Sequence, residues 1–173
     1  KIANYRKHAY TNGYQLCMFG EEAIATVSPK DYSFSFDPDN YPANSLYEGK
    51  LGFNKHYYSR IANMNSEEAD CAFAIDQTLE VKYWVRNLER NPKYAFWLPT
   101  STDKFYPDFV AKLNDGRLLV VEYKGTHLNN EDTQEKELIG KVWAEKSGNL
   151  FLLAWKKDKK GRDLSSQIKG IIS

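Results

Sequence analysis

Several features that would assign a function at once are rare or missing in this sequence. The two cysteines, Cys17 and Cys71, form neither a C-x-x-C pair nor a zinc-binding spacing, which is typical of a protein in a reducing cytoplasm. No apolar run approaches the ~18 residues needed to cross a bilayer, and the start, KIANYRKHAY, lacks the apolar core of a signal peptide. We therefore expect a cytoplasmic protein with no membrane partner.

An excess of positive charge is also missing. The 24 Lys and Arg residues are balanced by 23 Asp and Glu residues, so the formal net charge is +1. A strongly basic chain would have indicated nucleic acid directly. Any contact with DNA is therefore expected to come from a local patch or from another part of a larger molecule. The chain has no initiating Met, and we expect it to be a piece of a longer protein.

The size and composition predict one ordinary domain with a real core, since 42% of the 173 residues are hydrophobic. Residues 1–60 are rich in Tyr and are interrupted by turn signals such as DPDNYP at 37–42. We predict that they form an N-terminal segment, partly a linker and partly extra strands packed on the core, with EAIATV and YSFSF as candidate strands. Residues 61–173 are predicted to form the core itself.

Hydrophobic periodicity and turn residues predict alternating helices and strands over the core. The predicted elements are a helix at 66–79, strands at 81–87, 94–99, 109–113, 117–125 and 149–155, a helix near 132–147 and a short last helix at 163–172. Each longer helix has residues for a capping box, namely Asn65 (or Ser66) with Glu68, and Asp132 with Glu135. This order implies an α/β or α+β layered domain.

Charged residues stand at the end of the most apolar predicted strand. Glu122 and Lys124 follow the unbroken apolar run 118–121 and, being two positions apart, project from the same face. Asp108 stands at the mouth of the partner strand, after Pro107 and fourteen positions before Glu122. If the two strands pair through the tight turn NDG, two carboxylates and a lysine converge at one edge of the sheet.

This combination suits the hydrolysis of a phosphodiester bond. Two carboxylates offer the hard oxygen ligands that Mg²⁺ prefers, with Mn²⁺ as an alternative, and the carbonyl of Tyr123 could add a backbone ligand. A bound metal lowers the pKa of its water and neutralises developing charge, while a neighbouring lysine can orient that water or hold the phosphate. The alternative is an ordinary solvated charge pair, but the position directly after a buried run favours the functional interpretation.

The motif PD at 107–108 with EYK at 122–124 matches the PD-(D/E)xK nuclease signature. The wider context, YPDFVAKLNDGRLLVVEYKG followed by EDTQEKELIGKVWAEKSG, resembles the C-terminal nuclease domain of the restriction (Res) subunit of type III restriction enzymes, as do VKYWVRN and YAFWLP before it. The resemblance extends over roughly residues 46–158. It implies an α/β, restriction-endonuclease-like fold, with a central mixed β-sheet flanked by helices and with residues 61–173 as the nuclease core.

By this resemblance the chain would be a type III site-specific deoxyribonuclease domain that acts on double-stranded DNA. Asp108 and Glu122 would be ligands of Mg²⁺, and Lys124 would be the catalytic lysine. ATP would act only through a helicase or translocase part of the same longer chain, because no loop of the form G-x-x-x-x-G-K-[ST] occurs here. A modification methyltransferase subunit would be a further partner.

Four further residues are weaker candidates. Members of the family often have an acidic residue on the helix before the hairpin, and Glu68, in line with the core-facing side of the helix, is preferred over Glu67 as a fourth catalytic residue. A helix cap worth about 1 kcal/mol is an equal alternative for Glu68. Gln134, at the start of the following helix, is a candidate for an accessory polar role in DNA binding. Lys156 and Lys157 in KKDKKGR could contact DNA phosphates, although a solvated turn is the favoured interpretation.

Two other functions stay open. One is another nuclease of the same fold, such as a repair or junction-cleaving enzyme, and the other is a non-catalytic module that binds DNA or a partner subunit. A pure binder has no need of clustered carboxylates, which would repel phosphate in the absence of a metal. The histidines His8, His56 and His127 show no metal spacing and are expected to be ordinary polar residues. Contact with DNA stays open for Arg86 and Asn87, whereas Trp84 is expected to pack in the core.

Overall fold

The computed structural model describes residues 41–90, 95–100, 103–125 and 131–173. The elements in chain order are α1 (Ser66–Asp76), β1 (Val81–Arg86), β2 (Leu98–Pro99), β3 (Lys104–Phe105), β4 (Phe109–Leu113), β5 (Leu118–Lys124), α2 (Glu131–Ser147), β6 (Leu150–Trp155) and α3 (Leu164–Ile172). Apart from α1 and β2, the predicted elements agree with these bounds to within one or two residues at their ends, the usual uncertainty of such boundaries. The predicted α/β class is confirmed.

A four-stranded mixed sheet forms the centre, in the order β1-β4-β5-β6. Strands β1 and β5 both run antiparallel to β4, and β6 runs parallel to β5. The β4–β5 hairpin closes through the predicted turn, where Gly116 has a φ of 95°, a conformation that glycine adopts without steric cost. The register pairs Phe109 with Val121. Asp108 and Glu122, the next residues outward, therefore lie at the open end of the hairpin.

Helices cover both faces of this sheet, because β5 sends alternate side chains into two separate cores. Val121 belongs to the larger core, where α1 and α3 pack around the buried rings of Trp84 and Phe109. Val120 belongs to the smaller core, where Ile139 of α2 and the β2–β3 ribbon cover the other face. The central strand is covered on both faces, as its uninterrupted apolar run predicts.

Helix α1 starts as predicted but ends earlier. Asn65 caps it, and Glu68 completes the predicted capping box with hydrogen bonds in both directions. Its last residue is Asp76, whose buried carboxylate accepts a hydrogen bond from the Trp84 indole at 2.9 Å and so fixes the helix end to β1. The predicted extension of this helix to Leu79 is wrong, because Leu79 follows the helix and is 84% exposed.

Helix α2 differs from its prediction at the start. It begins at Glu131, so Asp132 lies inside the first turn and pairs with Lys136 at 2.9 Å. The predicted capping box of Asp132 with Glu135 is therefore wrong. An acidic residue in the first turn still stabilises the helix through its dipole. Among the helices that are described, none is long and apolar enough to span a membrane.

The predicted strand at 94–99 is reduced to β2, which pairs only with the equally short β3. Pro99 has no N–H to donate and so limits the pairing. Tyr94 lies outside the described residues, as do the candidate strands EAIATV and YSFSF.

Residues 41–60, the described part of the N-terminal segment, pack along the outer edge of β1. His56 forms a parallel bridge with Trp84, and the Tyr57 amide donates to the Trp84 carbonyl at 2.8 Å. The rings of Tyr41 and Tyr58 stack with their centroids 4.3 Å apart. This segment therefore lies against β1 close to the point where the strand ends.

Candidate active site at the open end of the hairpin

The open end of the β4–β5 hairpin brings three of the predicted site residues together. Glu122 and Lys124 form an ion pair on β5, with Oε1 and Nζ 2.9 Å apart. Asp108 reaches across from the start of β4, and its Oδ2 accepts a hydrogen bond from the Tyr123 amide at 2.8 Å. Two carboxylates and one lysine therefore lie side by side at one edge of the sheet.

Asn87 fixes the backbone from which Asp108 projects. Its side-chain N–H donates to the Pro107 carbonyl at 2.8 Å, and its backbone N–H donates to the Asp108 carbonyl at 2.9 Å. The same side chain bonds to both the N–H and the carbonyl of Phe96. Asn87 is only 5% exposed, so these bonds supply the partners that a buried amide requires.

Arg86, the last residue of β1, is the buried cation beside Asp108. Its Nη1 lies 2.6 Å from Asp108 Oδ1, and its Nη2 lies 3.2 Å from Glu68 Oε1. The guanidinium carbon is 5.2 Å from the centroid of the Phe109 ring. Burial opposes the charged form, but the negative charges of Asp108 and Glu68 outweigh it and raise the pKa of Arg86. The group is therefore a permanent positive charge in the site.

Glu122 is a buried carboxyl group poised to exchange a proton near neutral pH. Burial and, second to it, the negative charge of Asp108 raise the pKa of Glu122 to about 7, against the opposing effect of Lys124. Within the part of the chain that is described, the second oxygen, Oε2, has no hydrogen-bond partner.

Helix α2 adds a second lysine to this region. Lys136 pairs with Asp132, and its ammonium group lies 5.4 Å from the centroid of the Phe105 ring. Burial opposes its charge, but the hydrogen bond to Asp132 and the negative charges of Glu122 and Asp108 outweigh burial and raise the pKa of Lys136. Lys136 therefore stays protonated and adds positive charge near the two carboxylates.

The two acidic candidates on α1 contact different partners. Glu68 uses both oxygens, because Oε1 faces Arg86 and Oε2 accepts the Asn65 amide at 2.8 Å. Burial is the largest influence on Glu68 and raises its pKa. Glu67 instead hydrogen-bonds to the Tyr123 hydroxyl, and burial together with the Glu67 charge raises the pKa of Tyr123 to about 12. The catalytic role predicted for Glu68 stays a prediction.

The remaining candidates lie farther out. Gln134 is exposed on α2 and forms no hydrogen bond with another described residue of the site. Lys156 and Lys157 are exposed and follow Trp155, which pairs with Lys124 in the parallel β5–β6 register. These two lysines therefore leave the sheet at the end where the carboxylates lie.

Asp108 and Glu122 fit a hard divalent cation that needs few protein ligands. In an extended strand the N–H and C=O of one residue project to the same side, so the Tyr123 carbonyl faces the side on which its N–H meets Asp108. In the described ranges, no group of three or more His, Cys, Asp and Glu side chains is placed to hold a metal ion. Two carboxylates and a carbonyl suit Mg²⁺, which keeps several waters and is often bound through one or two carboxylates plus substrate phosphates.

The sequence left Arg86 and Asn87 open as DNA contacts without indicating their place beside Asp108, and it did not single out Lys136. A usable signal was present for the first two, because they follow an apolar strand directly, as Glu122 follows its own. For Lys136 the signal is its spacing of three from the buried Ile139, which places both on neighbouring parts of one helix face.

The arrangement at the hairpin end is thus a set of buried carboxylates and cations held by hydrogen bonds from β1, β5 and α1. Carboxylates beside a lysine can hold a divalent cation, activate a water molecule and hold a phosphate. No protein-family model, no curated protein and no solved structure matches this chain.

Proposed function

We propose that this chain is a Mg²⁺-dependent DNA endonuclease domain, the cleavage module of a type III restriction-modification complex. The observation that supports the proposal most strongly is the meeting of Asp108, Glu122 and Lys124 at the open end of one hairpin. These are the residues of the PD and EYK motifs. Their combined chemistry suits the hydrolysis of a phosphodiester bond.

The burial of these charges supports a functional role. The side chains of the Lys124–Glu122 pair are 12% and 8% exposed, and those of the Arg86–Asp108 pair are 8% and 12% exposed. Transfer of two charges out of water is costly, and their attraction often fails to compensate for it. Perturbed ionisable groups that touch one another are typical of functional sites. Chemistry therefore explains this cluster better than stability does.

Asp108, Glu122 and the Tyr123 carbonyl would hold the metal. When bound, Mg²⁺ would supply a water molecule of lowered pKa and neutralise charge that develops on the phosphate. Lys124, in contact with Glu122, would orient the attacking water or hold the scissile phosphate. The same-face spacing of Glu122 and Lys124 on a central strand keeps both groups on a rigid support.

Positive charge around the site favours DNA as the substrate. Lys156 and Lys157 are exposed and follow the strand that pairs with Lys124. In the same turn the Asp158 carboxylate is occupied by Arg162 at 2.7 Å, which reduces its compensation of the lysine charges. Exposed lysines next to the carboxylates would neutralise phosphates on either side of the cleaved bond.

The larger assembly is part of the same proposal. A mixed sheet flanked by helices accords with the PD-(D/E)xK fold, and the type III assignment is based on the sequence resemblance. ATP hydrolysis and movement along DNA would belong to a helicase or translocase part of a longer chain, with a methyltransferase subunit as partner. The isolated chain would then cut DNA slowly and without sequence preference.

Cleavage of supercoiled plasmid by the 173-residue chain, with Mg²⁺ or with a chelator, tests the proposal. We expect nicked and linear products only with the metal. Lys124→Ala should lower the cleavage rate ~10²–10⁴-fold, because a group that acts in the transition state contributes about this much. The matched control is Lys112→Ala on β4, whose ammonium group bonds to the Gly116 carbonyl at the other end of the hairpin.

Three outcomes would contradict the proposal. Cleavage that persists in the chelator would exclude metal dependence. Equal rates for Lys124→Ala and Lys112→Ala would remove the open end as the active site. Metal-independent DNA binding without any cutting would favour the non-catalytic module instead.

A further inference from the structure

We propose that Arg86 is the positioning residue of this site, and that Glu68 serves Arg86 instead of binding the metal. Arg86 holds the Asp108 carboxylate in one orientation, and Glu68 holds Arg86 in turn. The inference deepens the proposed function and rests on it where Asp108 is taken as a metal ligand. The orientation of Asp108 can be measured with no metal and no DNA present.

The Asp108 carboxylate is fixed from two sides. Arg86 Nη1 donates to Oδ1 at 2.6 Å, and the Tyr123 amide donates to Oδ2 at 2.8 Å. Arg86 Nη1 also donates to the Asp108 carbonyl at 3.1 Å, so one guanidinium nitrogen holds both side chain and backbone. Loss of the Arg86 contact would leave Oδ1 without this donor and free the carboxylate to rotate away from the Tyr123 amide.

Arg86 is itself fixed at its backbone by residues that precede the core. Its N–H donates to His56 Nε2 at 3.1 Å, and its carbonyl accepts the Tyr41 hydroxyl at 2.8 Å. The Tyr41 hydroxyl also accepts the Ala62 amide at 3.1 Å. The N-terminal segment therefore contributes to the site indirectly, because it fixes the backbone position from which the Arg86 side chain projects.

Both oxygens of Glu68 are already engaged. Oε1 accepts from Arg86 Nη2 at 3.2 Å, and Oε2 accepts the Asn65 amide at 2.8 Å in the capping box. Glu122 differs, because among the described residues its Oε2 has no partner. Both oxygens of Asp108 are engaged as well, so engagement alone does not separate Glu68 from Asp108. The two carboxylates differ in their partners. Asp108 is bonded to the Tyr123 amide, between Glu122 and Lys124, whereas Glu68 bridges a helix N-terminus and the guanidinium group and is placed to support the arginine.

An arginine is needed for this geometry. Its planar fork presents several N–H groups in fixed directions and can engage two carboxylates at once. A lysine keeps the positive charge but offers a single ammonium group, which cannot span the distance from Asp108 to Glu68 in the same way. The variant Arg86→Lys therefore keeps the positive charge and removes the geometry that positions Asp108.

Amide hydrogen exchange of metal-free protein tests the positioning directly. In Arg86→Lys we expect exchange at the Tyr123 amide to become about tenfold faster, the effect of weakening one charge-assisted hydrogen bond. The Val121 amide, on the same strand and inside the β4–β5 ladder, should exchange as in the wild type. The matched control is Arg117→Lys, which alters an exposed Arg–Asp pair at the turn end.

Glu68→Gln provides the second test and does not depend on whether Arg86→Lys folds. Calorimetric titration should still show Mg²⁺ binding, weakened roughly tenfold, the low end of the loss that is typical when a residue that supports a metal ligand is replaced. Unchanged Tyr123 exchange in Arg86→Lys, or loss of Mg²⁺ binding in folded Glu68→Gln, would overturn the inference. A wild-type chain that cuts no DNA contradicts the proposed function instead, and leaves the exchange result to decide on Arg86.

Discussion

The two ends of the β4–β5 hairpin hold the same kinds of charged residue in opposite surroundings. At the turn end, Arg117 pairs with Asp115 at 2.7 Å, and their side chains are 35% and 48% exposed. At the open end, Lys124 pairs with Glu122 at 2.9 Å, and their side chains are 12% and 8% exposed. The pair distances are nearly equal, so the surroundings, not the contact, distinguish the two ends.

The pKa values of the two carboxyl groups, Asp115 and Glu122, are shifted in opposite directions. Hydrogen bonds from the backbone and side chain of Arg117 lower the pKa of Asp115, whereas burial and the Asp108 charge raise the pKa of Glu122 to about 7. Water stabilises the charges at the turn, where an exposed pair of this kind contributes little to stability. At the open end, the buried charges depend on neighbouring protein groups for their stabilisation. A buried charge that water does not stabilise is the feature that separates a candidate site from an ordinary surface pair.

The largest stability difference between the two ends should come from removing one carboxylate charge from each. Asp108→Asn leaves the buried Arg86 cation with a weaker partner, and we expect the free energy of unfolding to fall by about 3 kcal/mol. Asp115→Asn should change the free energy of unfolding far less, because its pair is exposed. Urea denaturation of both variants measures the difference, and equal losses would show that burial at the open end has no energetic consequence.

A pH series on metal-free protein sharpens the contrast. The pKa of Glu122 is raised from 4.5 to about 7, so the native state favours its protonated form. The resulting stabilisation is complete below pH 4.5 and is lost as the pH rises through about 7, on the order of 1–3 kcal/mol in total. Glu122→Gln should remove this slope. A wild-type slope that persists in the variant would assign the titration to another group.

The hairpin and the three site residues Asp108, Glu122 and Lys124 could be predicted from the sequence because their positions depend on local rules. The NDG turn sets the register, strand alternation puts Glu122 and Lys124 on one face, and the short separation brings Asp108 beside them. The contacts that hold Asp108 through Arg86 could not be predicted in this way. Tyr41 and Arg86 are 45 positions apart, and their contact depends on how the N-terminal segment lies along β1. Periodicity within one element contains no information on such a contact.

His56, which accepts the Arg86 amide, predicts a second effect of pH on stability, in the acid range. Burial lowers the pKa of His56 to about 4, and the neutral ring donates from Nδ1 to the Tyr58 carbonyl while Nε2 accepts the Arg86 amide. The native state therefore favours neutral His56. Its stabilisation is present above pH 6.5 and is lost as the pH falls towards about 4, on the order of 1–3 kcal/mol.

Denaturation of His56→Gln over the same pH range measures this effect. The variant should be less stable than the wild type at neutral pH, and the gap should close between pH 6.5 and about 4. A gap that stays constant across this range would mean that His56 contributes through packing alone.

The smallest expected effect concerns the exposed lysines beyond the open end. Lys156→Ala and Lys157→Ala should each weaken DNA binding evenly across sequences and reduce the salt dependence of log affinity by about 1. Lys146→Ala, near the exposed C-terminal end of α2, is a control in another part of the surface. Salt titrations of DNA affinity by fluorescence anisotropy compare the three. Equal slopes for all would show that the KKDKKGR turn does not contact DNA.

Titration of Mg²⁺ by isothermal calorimetry tests most directly the claim that the open end is a metal site. At about pH 8, above the pKa of Glu122, the carboxylate is ionised and ready to bind. We predict that the wild type and Asp115→Asn bind Mg²⁺ with the same affinity, and that folded Glu122→Gln gives no measurable heat of binding. Equal binding by all three proteins would contradict the account.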